Sequence, residues 1–277
     1  MHDRFHLSND HTKDEKLTKG HHVANRDMRL MHWHDIPAAV GLLTRVPVRV
    51  HTDLATQRGP LAAWAYPLVG LKIAVAMAVV GLVAMTIGIN VQITAALLLA
   101  TSVILTGAMH EDGLADSADG LWGGWEKTKR LEIMKDSRTG AYGVLALVLS
   151  MLIRWTALVA ILHTDHWIAA LIAVGMLSRA AMVALMTGLP NARAGGLSQS
   201  VGRPKPITAW LAIGIATLGS VVALGLMTGS LLIIAAVTAS LWAGIAHRKI
   251  GGQTGDILGA TQQITEMTLL IALTTLL

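Results

Sequence analysis

Long apolar runs separated by short polar ones organise this 277-residue chain. The runs over 61–87, 91–109, 141–162, 167–187, 207–227 and 230–247 each approach the ~20 residues that carry a helix across a bilayer core. A seventh, 262–277, is shorter and opens on Gln262, Gln263 and Glu266, as expected of a span that enters from a polar, protein-lined site. Helices are expected throughout, because a backbone in lipid must satisfy its own polar groups. Two shorter stretches depart from this pattern. Apolar positions from Ile36 to Val46 recur with helical period for about three turns and then meet Pro47, which predicts an interfacial helix followed by a loop over 44–60. Residues 131–140, LEIMKDSRTG, read as an amphipathic helix ending at Gly140.

Composition narrows the class. The chain is 53% hydrophobic and 14% charged, so the fold class is all-α, a polytopic integral membrane bundle of about seven transmembrane helices. The expected division is a polar, His-rich tail over 1–33, disordered and without a signal-peptide h-region, and one membrane-embedded catalytic domain over 34–277. The net charge of +5 could suggest a nucleic-acid partner; in a membrane protein basic residues report orientation first, and no nucleic acid is expected. Of the 22 Lys and Arg residues, Lys72, Arg154 and Arg179 fall inside spans. The other nineteen lie before residue 61, in 107–140, in 188–206 or at 248–249, and none lies in the tight connections near 88–90, 163–166 and 228–229. That alternation predicts a bacterial inner-membrane protein with its N-terminus and the three long loops in the cytoplasm. The absence of cysteine excludes disulfides, thiolate metal sites and a Cys nucleophile.

The chemistry gathers in those loops. Residues 107–143 place Glu111, Asp112, Asp116 and Asp119 within ten residues, beside an apolar run. On a helix, Asp112, Asp116 and Asp119 fall at i, i+4 and i+7 on one face, where like charges repel. A cation neutralises them, and an all-oxygen ligand set favours a hard ion, Mg²⁺ or Mn²⁺, over zinc. Further along, Lys135 and Arg138 are placed to meet phosphate oxygens. The loop 191–206, NARAGGLSQSVGRPKP, reads as a connector or as a phosphate-gripping loop. The loop after 250 sets Gly251, Gly252 and Gly255 around Thr254 and Asp256, so its backbone can approach an anion, though it is no Walker A sequence. Arg154 and Arg179, charged within spans, are expected to pair with carboxylates or to line a polar cavity. Most of the eight Trp residues sit near span ends as an interfacial belt.

HEDGLADSADGLWGG followed by RLEIMKDSRTGAYG, with LLTRVPV, YPLVG and GGQTGDILGA, resembles the adenosylcobinamide-GDP ribazoletransferases, the cobalamin (5′-phosphate) synthases, over nearly the whole of 34–277. The resemblance implies a Mg²⁺-dependent inner-membrane enzyme that joins adenosylcobinamide-GDP to α-ribazole or its 5′-phosphate and releases GMP. Asp112, Asp116 and Asp119 would then hold the metal. Glu111, Asp119 or Asp256 would serve the attacking ribose 5′-hydroxyl, and Lys135, Arg138, Gly251, Gly252, Thr254 and Gly255 would bind phosphate or guanine nucleotide. The lipid bilayer is the other partner, and the sequence leaves room for a homo-oligomer. The competing class is a transporter of a divalent cation or other small solute. Against it, the acids stand at one rim instead of the midplane, and no internal repeat is visible.

Overall fold

Apolar side chains at most positions leave helix as the way to satisfy the backbone away from water. The computed structural model, which describes residues 29–277, is helical accordingly, with no strand among those residues. The expected tail therefore lies, up to residue 28, outside the described residues.

Two short helices, α1 (Asp35–Leu43) and α2 (Thr52–Arg58), lead through a tight turn at Leu61–Ala65 into α3 (Tyr66–Thr86). There follow α4 (Val91–Thr106), α5 (Met109–Gly123), α6 (Lys127–Ile133), α7 (Ala141–Leu162), α8 (Trp167–Gly188), α9 (Leu197–Val201), α10 (Pro206–Leu224), α11 (Thr228–Ile250) and α12 (Gly255–Leu276). The starts follow ordinary capping chemistry. Asn90 caps α4 by accepting from the Ile93 amide, Thr254 caps α12 by accepting from Ile257, and Pro67 and Pro206 stand at first-turn positions where no N–H is needed.

The polytopic helical bundle is the one expected; the count of spans is less simple. Among the described residues four apolar stretches are long enough to cross a bilayer: Leu61–Thr86, Ala141–Leu162, Trp167–Gly188 and Pro206–Ile250, with α4 and α5 a fifth if taken as one bent span. Seven were expected. The 45-residue stretch Pro206–Ile250 is twice the needed length and folds back at Gly225, whose combination of φ 58° and ψ −132° only glycine adopts readily. Arg203, just before α10, donates to the Thr187 and Gly188 carbonyls, and Gln253, just after α11, donates to the Met186 carbonyl. Both outer ends of that hairpin thus meet at the C-terminal end of α8. The seventh expected span lies within α12, which is less apolar because it buries Gln262, Gln263 and Glu266.

Helix α8 is the centre of the bundle, with α3, α10, α11 and α12 all packed on it. It meets α3 through glycines: a Cβ on Gly70 would land on the Gly175 carbonyl oxygen. The outward faces are apolar, as Leu145, Leu149 and Leu152 on α7 and Ile233 and Leu241 on α11 show.

Around the ends of the bundle the structure departs from two expectations. The loop expected over 44–60 contains α2. Buried Arg58, in the last turn of α2, grips buried Asp35 with two bonds of 2.8 and 2.7 Å, and Trp64 donates to the same carboxylate at 2.8 Å. That anchor holds 52–58 under α1. The helix expected to run to Gly140 stops at Ile133 instead. The Gly140 and Gly143 amides both donate to the Asp119 carboxylate, at 2.7 and 2.9 Å. The chain before α7 is drawn out to deliver those two N–H groups.

Candidate active site at one rim of the bundle

The site begins with a break. Gly107 and Ala108 take left-handed φ values of 64° and 58° in succession, which ends α4 and turns α5 through 88°. The Arg45 side chain fills the space where a Cβ on Gly107 would stand, 2.5 Å from its Nε. Helix α5 is therefore outside the four spans, and its acidic half stands at the rim where α7 and α12 begin.

Asp112, Asp116 and Asp119 do share one face of α5, but they meet different partners. Helix α12 crosses α5 at two glycines. A Cβ on Gly113 would stand 2.8 Å from the Asp256 carbonyl oxygen and 3.1 Å from Gly259 Cα. This close approach, for which only Gly is small enough, brings Asp256 of α12 beside Asp112 and Asp116 of α5. Asp112 is exposed and Asp116 half-buried. Burial, then the charges of Asp112, Asp256 and Asp119, push the Asp116 carboxyl up to about 7. The acids therefore repel one another as they stand.

A cavity of about 210 Å³ opens beside this group. Asp112, Asp256, His110, Arg193 and Ser198 give it polar lining, Gly255 a stretch of bare backbone, and Leu42, Leu43, Tyr66, Met182 and Met186 an apolar floor. Arg193 donates to Asp256 at 3.3 Å, and the Thr254 hydroxyl bonds the same oxygen at 3.1 Å. His110 is buried at 1% exposure, and neither ring nitrogen has a partner.

The remaining expected site residues are placed elsewhere. Both oxygens of Asp119 accept backbone N–H bonds from the start of α7. Glu111 turns inward, where its Oε1 accepts from Arg154 at 3.1 Å and from Gln263 at 3.1 Å. Arg154 also donates to Gln263 at 2.9 Å and to Glu266 at 2.6 Å, and Arg179 reaches Glu266 at 3.4 Å. Both intramembrane arginines are thus paired with carboxylates, whereas Lys72 is exposed. Gly251 ends α11 at φ 77°, and Gly252 packs against the Pro190 carbonyl. Gln253 exchanges backbone bonds of 2.8 Å with Pro190 and Ala192. Of the glycine loop, then, Gly255 lines the cavity, while Gly251, Gly252 and Thr254 fix the loop to its neighbours. Lys135 is exposed, and Arg138 pairs with Asp136 at 2.8 Å with its side chain 87% exposed; neither lines the cavity.

Three polar lining residues, His110, Arg193 and Ser198, had no individual role assigned from the sequence. His110 directly precedes the acidic run, and Arg193 and Ser198 sit in the loop that reads first as a connector and second as a phosphate grip. Among the described residues no three His, Asp or Glu side chains converge closely enough to hold an ion unaided. The arrangement suits an ion shared with a ligand. Mg²⁺ characteristically takes one or two carboxylates and completes its shell with waters and substrate phosphates.

The comparisons with known proteins agree with one another. A family model described as CobS, cobalamin-5-phosphate synthase, matches residues 35–274. A protein of Bradyrhizobium diazoefficiens named adenosylcobinamide-GDP ribazoletransferase is 42% identical over 240 residues, covering 86% of this chain and 92% of its own. One of the same name from Sinorhizobium medicae is 41% identical over 251 residues, covering 87% and 96%. No solved structure matches the chain. With a family match that runs from α1 almost to the end of α12, and relatives this similar over nearly their full length, the chain belongs to the cobalamin-5-phosphate synthase family, transferases of cobalamin synthesis.

Proposed function

We propose that this enzyme transfers the adenosylcobinamide phosphate of adenosylcobinamide-GDP to α-ribazole or its 5′-phosphate, and releases GMP. The observation that carries the reading is the Gly113–Gly259 crossing, which sets Asp256 near Asp112 and Asp116, with Asp112 and Asp256 lining a cavity. Displacing GMP means breaking one phosphoanhydride bond while a ribose hydroxyl forms a phosphodiester. With α-ribazole 5′-phosphate the 5′ position is already blocked, so the hydroxyl that serves both acceptors is a secondary one and not the expected 5′-hydroxyl. Charge then grows on the transferring and leaving oxygens.

Mg²⁺, when bound, supplies Lewis-acid stabilisation of those oxygens. Asp112 and Asp116 are the residues to hold it. They stand one helical turn apart, and Asp116, pushed up to about 7 by burial and then by its acidic neighbours, gains most from a cation. Asp256 faces them from α12 and is the acid best placed to take the proton of the attacking hydroxyl. Glu111 and Asp119 act at one remove: Asp119 ties the start of α7 to α5, and Glu111 joins α5 to α7 and α12 through Arg154 and Gln263. The apolar floor suits the flat base of the acceptor.

The test is direct. Purified protein in detergent or nanodiscs, given adenosylcobinamide-GDP, α-ribazole and Mg²⁺, is expected to release GMP in step with the cobalamin formed. GMP release without acceptor, or none at all, sinks the reading.

The site belongs on the cytoplasmic side of the inner membrane in this reading, which rests on the distribution of Lys and Arg. This chain has no cysteine, so single cysteines report cleanly. Asp165→Cys and Leu226→Cys, in the connections away from the site, are expected to react with an impermeant thiol reagent added to intact cells. Ser200→Cys is expected to stay unlabelled until the cells are opened, and the reverse pattern inverts the topology.

A further inference from the structure

We infer that Arg193 is the residue that receives a phosphate of the diphosphate substrate, and that its bond to Asp256 is a stand-in for that contact, exchanged when the anion enters. The inference rests on the transferase reading for the identity of the anion; the geometry stands independently.

Arg193 is incompletely partnered for a largely enclosed guanidinium, its side chain 16% exposed. Its Nη2 reaches Asp256 Oδ2 at 3.3 Å, longer than the ~2.7–2.9 Å of a well-formed charge-assisted bond. Its Nε and Nη1 are buried and have no partner, so three of its five N–H groups are buried without an acceptor. Desolvated donors of a cation cost stability unless something satisfies them. The side chain lines the cavity with Asp112 and His110, so the missing partner is one that enters there. A planar fork of donors fits phosphate oxygens in pairs.

The backbone supports a side chain that is aimed but can shift. Before Arg193, the Ala192 amide donates to the Gln253 carbonyl at 2.8 Å, which ties its Cα to the loop carrying Asp256. After it come Gly195 and Gly196, at φ 84° and 90°, the first with open space where a Cβ would stand although its amide donates to the Gln199 side chain. Without substrate, Asp256 is the only charge the guanidinium pairs with among the described residues. Once a diphosphate is in place, the guanidinium moves to its oxygens and Asp256 is released to face the attacking hydroxyl. In this way the base becomes available only when the phosphate to be attacked is present.

Inorganic pyrophosphate and GDP serve as probes, titrated into the full-length protein in EDTA so that no metal contributes. Arg193→Met is expected to weaken pyrophosphate binding at least tenfold. Asp256→Asn is expected to tighten it several-fold, because the guanidinium is no longer held. Exchange makes the two changes interdependent, so Asp256→Asn in the Arg193→Met background is expected to gain little or nothing. Equal gains in both backgrounds would mean plain charge repulsion and overturn the exchange; unchanged binding in Arg193→Met would overturn the phosphate contact. Should Arg193→Met not purify as a monodisperse protein, Arg193→Lys carries the test. It keeps the charge and loses the fork, and is expected to bind several-fold more weakly. No substrate turns over in this experiment. Arg193-dependent pyrophosphate binding with no GMP released in the transferase assay would therefore refute the transferase reading and leave the anion site standing.

Discussion

Asp112→Asn and Asp116→Asn, made singly, are each expected to lower kcat by about a thousandfold or more, which corresponds to ~4 kcal/mol of transition-state stabilisation at ~1.36 kcal/mol per tenfold. The loss follows from charge. Each substitution removes one of the two carboxylates that hold the cation in the proposed site, and the cation meets its largest demand as charge moves onto the leaving phosphate. Folding is not expected to suffer. Asp112 is exposed and Asp116 half-buried, and neither carries a side-chain bond that holds the helix. Asp116→Asn is expected to melt slightly higher than wild type in metal-free buffer, because it relieves the repulsion from Asp112, Asp256 and Asp119. An inactive but well-folded variant with a raised melting temperature is the signature of a site that gives up stability for function. Activity within tenfold of wild type in both variants would take these residues out of the metal site.

What the sequence revealed of this site was what depends on local spacing. Asp112, Asp116 and Asp119 share a face because they share a helix, and that needs only the 3.6-residue period. Their separate fates depend on neighbours that the period does not name. Asp119 is taken up by two amides more than twenty positions away, at Gly140 and Gly143, and the same pairing ends the expected 131–140 helix early. Asp256 joins the acids because Gly113 and Gly259 let two helices touch, a contact between segments about 145 residues apart. Arg193 was hidden for a similar reason. Its loop looks like a connector until Gln253, at the other end of α11, is seen to fasten it to the loop carrying Asp256. The span count shows the converse. Hydropathy found the apolar stretches, but Gln262, Gln263 and Glu266 make α12 read as marginal when its polar face is inside the protein and not in lipid.

That inward polar face leads to the second large effect, on stability. Arg154 lies fully buried in the middle of α7 and serves Glu111 of α5 together with Gln263 and Glu266 of α12. With Arg179 included, the cluster holds two guanidinium and two carboxylate groups, so it is neutral as a whole. An ordinary polar contact between membrane helices contributes only ~0.6 kcal/mol on average, and on that basis Arg154→Met would be mild. The charge balance argues otherwise. Removing Arg154 leaves Glu111 without its cation and Glu266 with Arg179 alone, so a net negative charge remains in a site closed to water. Breaking a buried pair by removing one partner costs about 3–5 kcal/mol. Arg154→Met is therefore expected to lower the melting temperature steeply, or to prevent recovery of folded protein from the membrane. Adding Glu111→Gln to Arg154→Met restores neutrality, and is expected to recover a substantial part of the lost stability although it deletes a further charged group. A contact-by-contact account predicts the opposite, with the double variant the worse of the two. If the double variant melts at or below Arg154→Met, the cluster is held by its individual hydrogen bonds and not by its charge balance. The rim site draws its geometry from this cluster. Glu111 is adjacent to Asp112, and α12 carries both Glu266 and Asp256, so the charges that fix α5 against α12 inside the bundle also set the distance between the acids at its mouth.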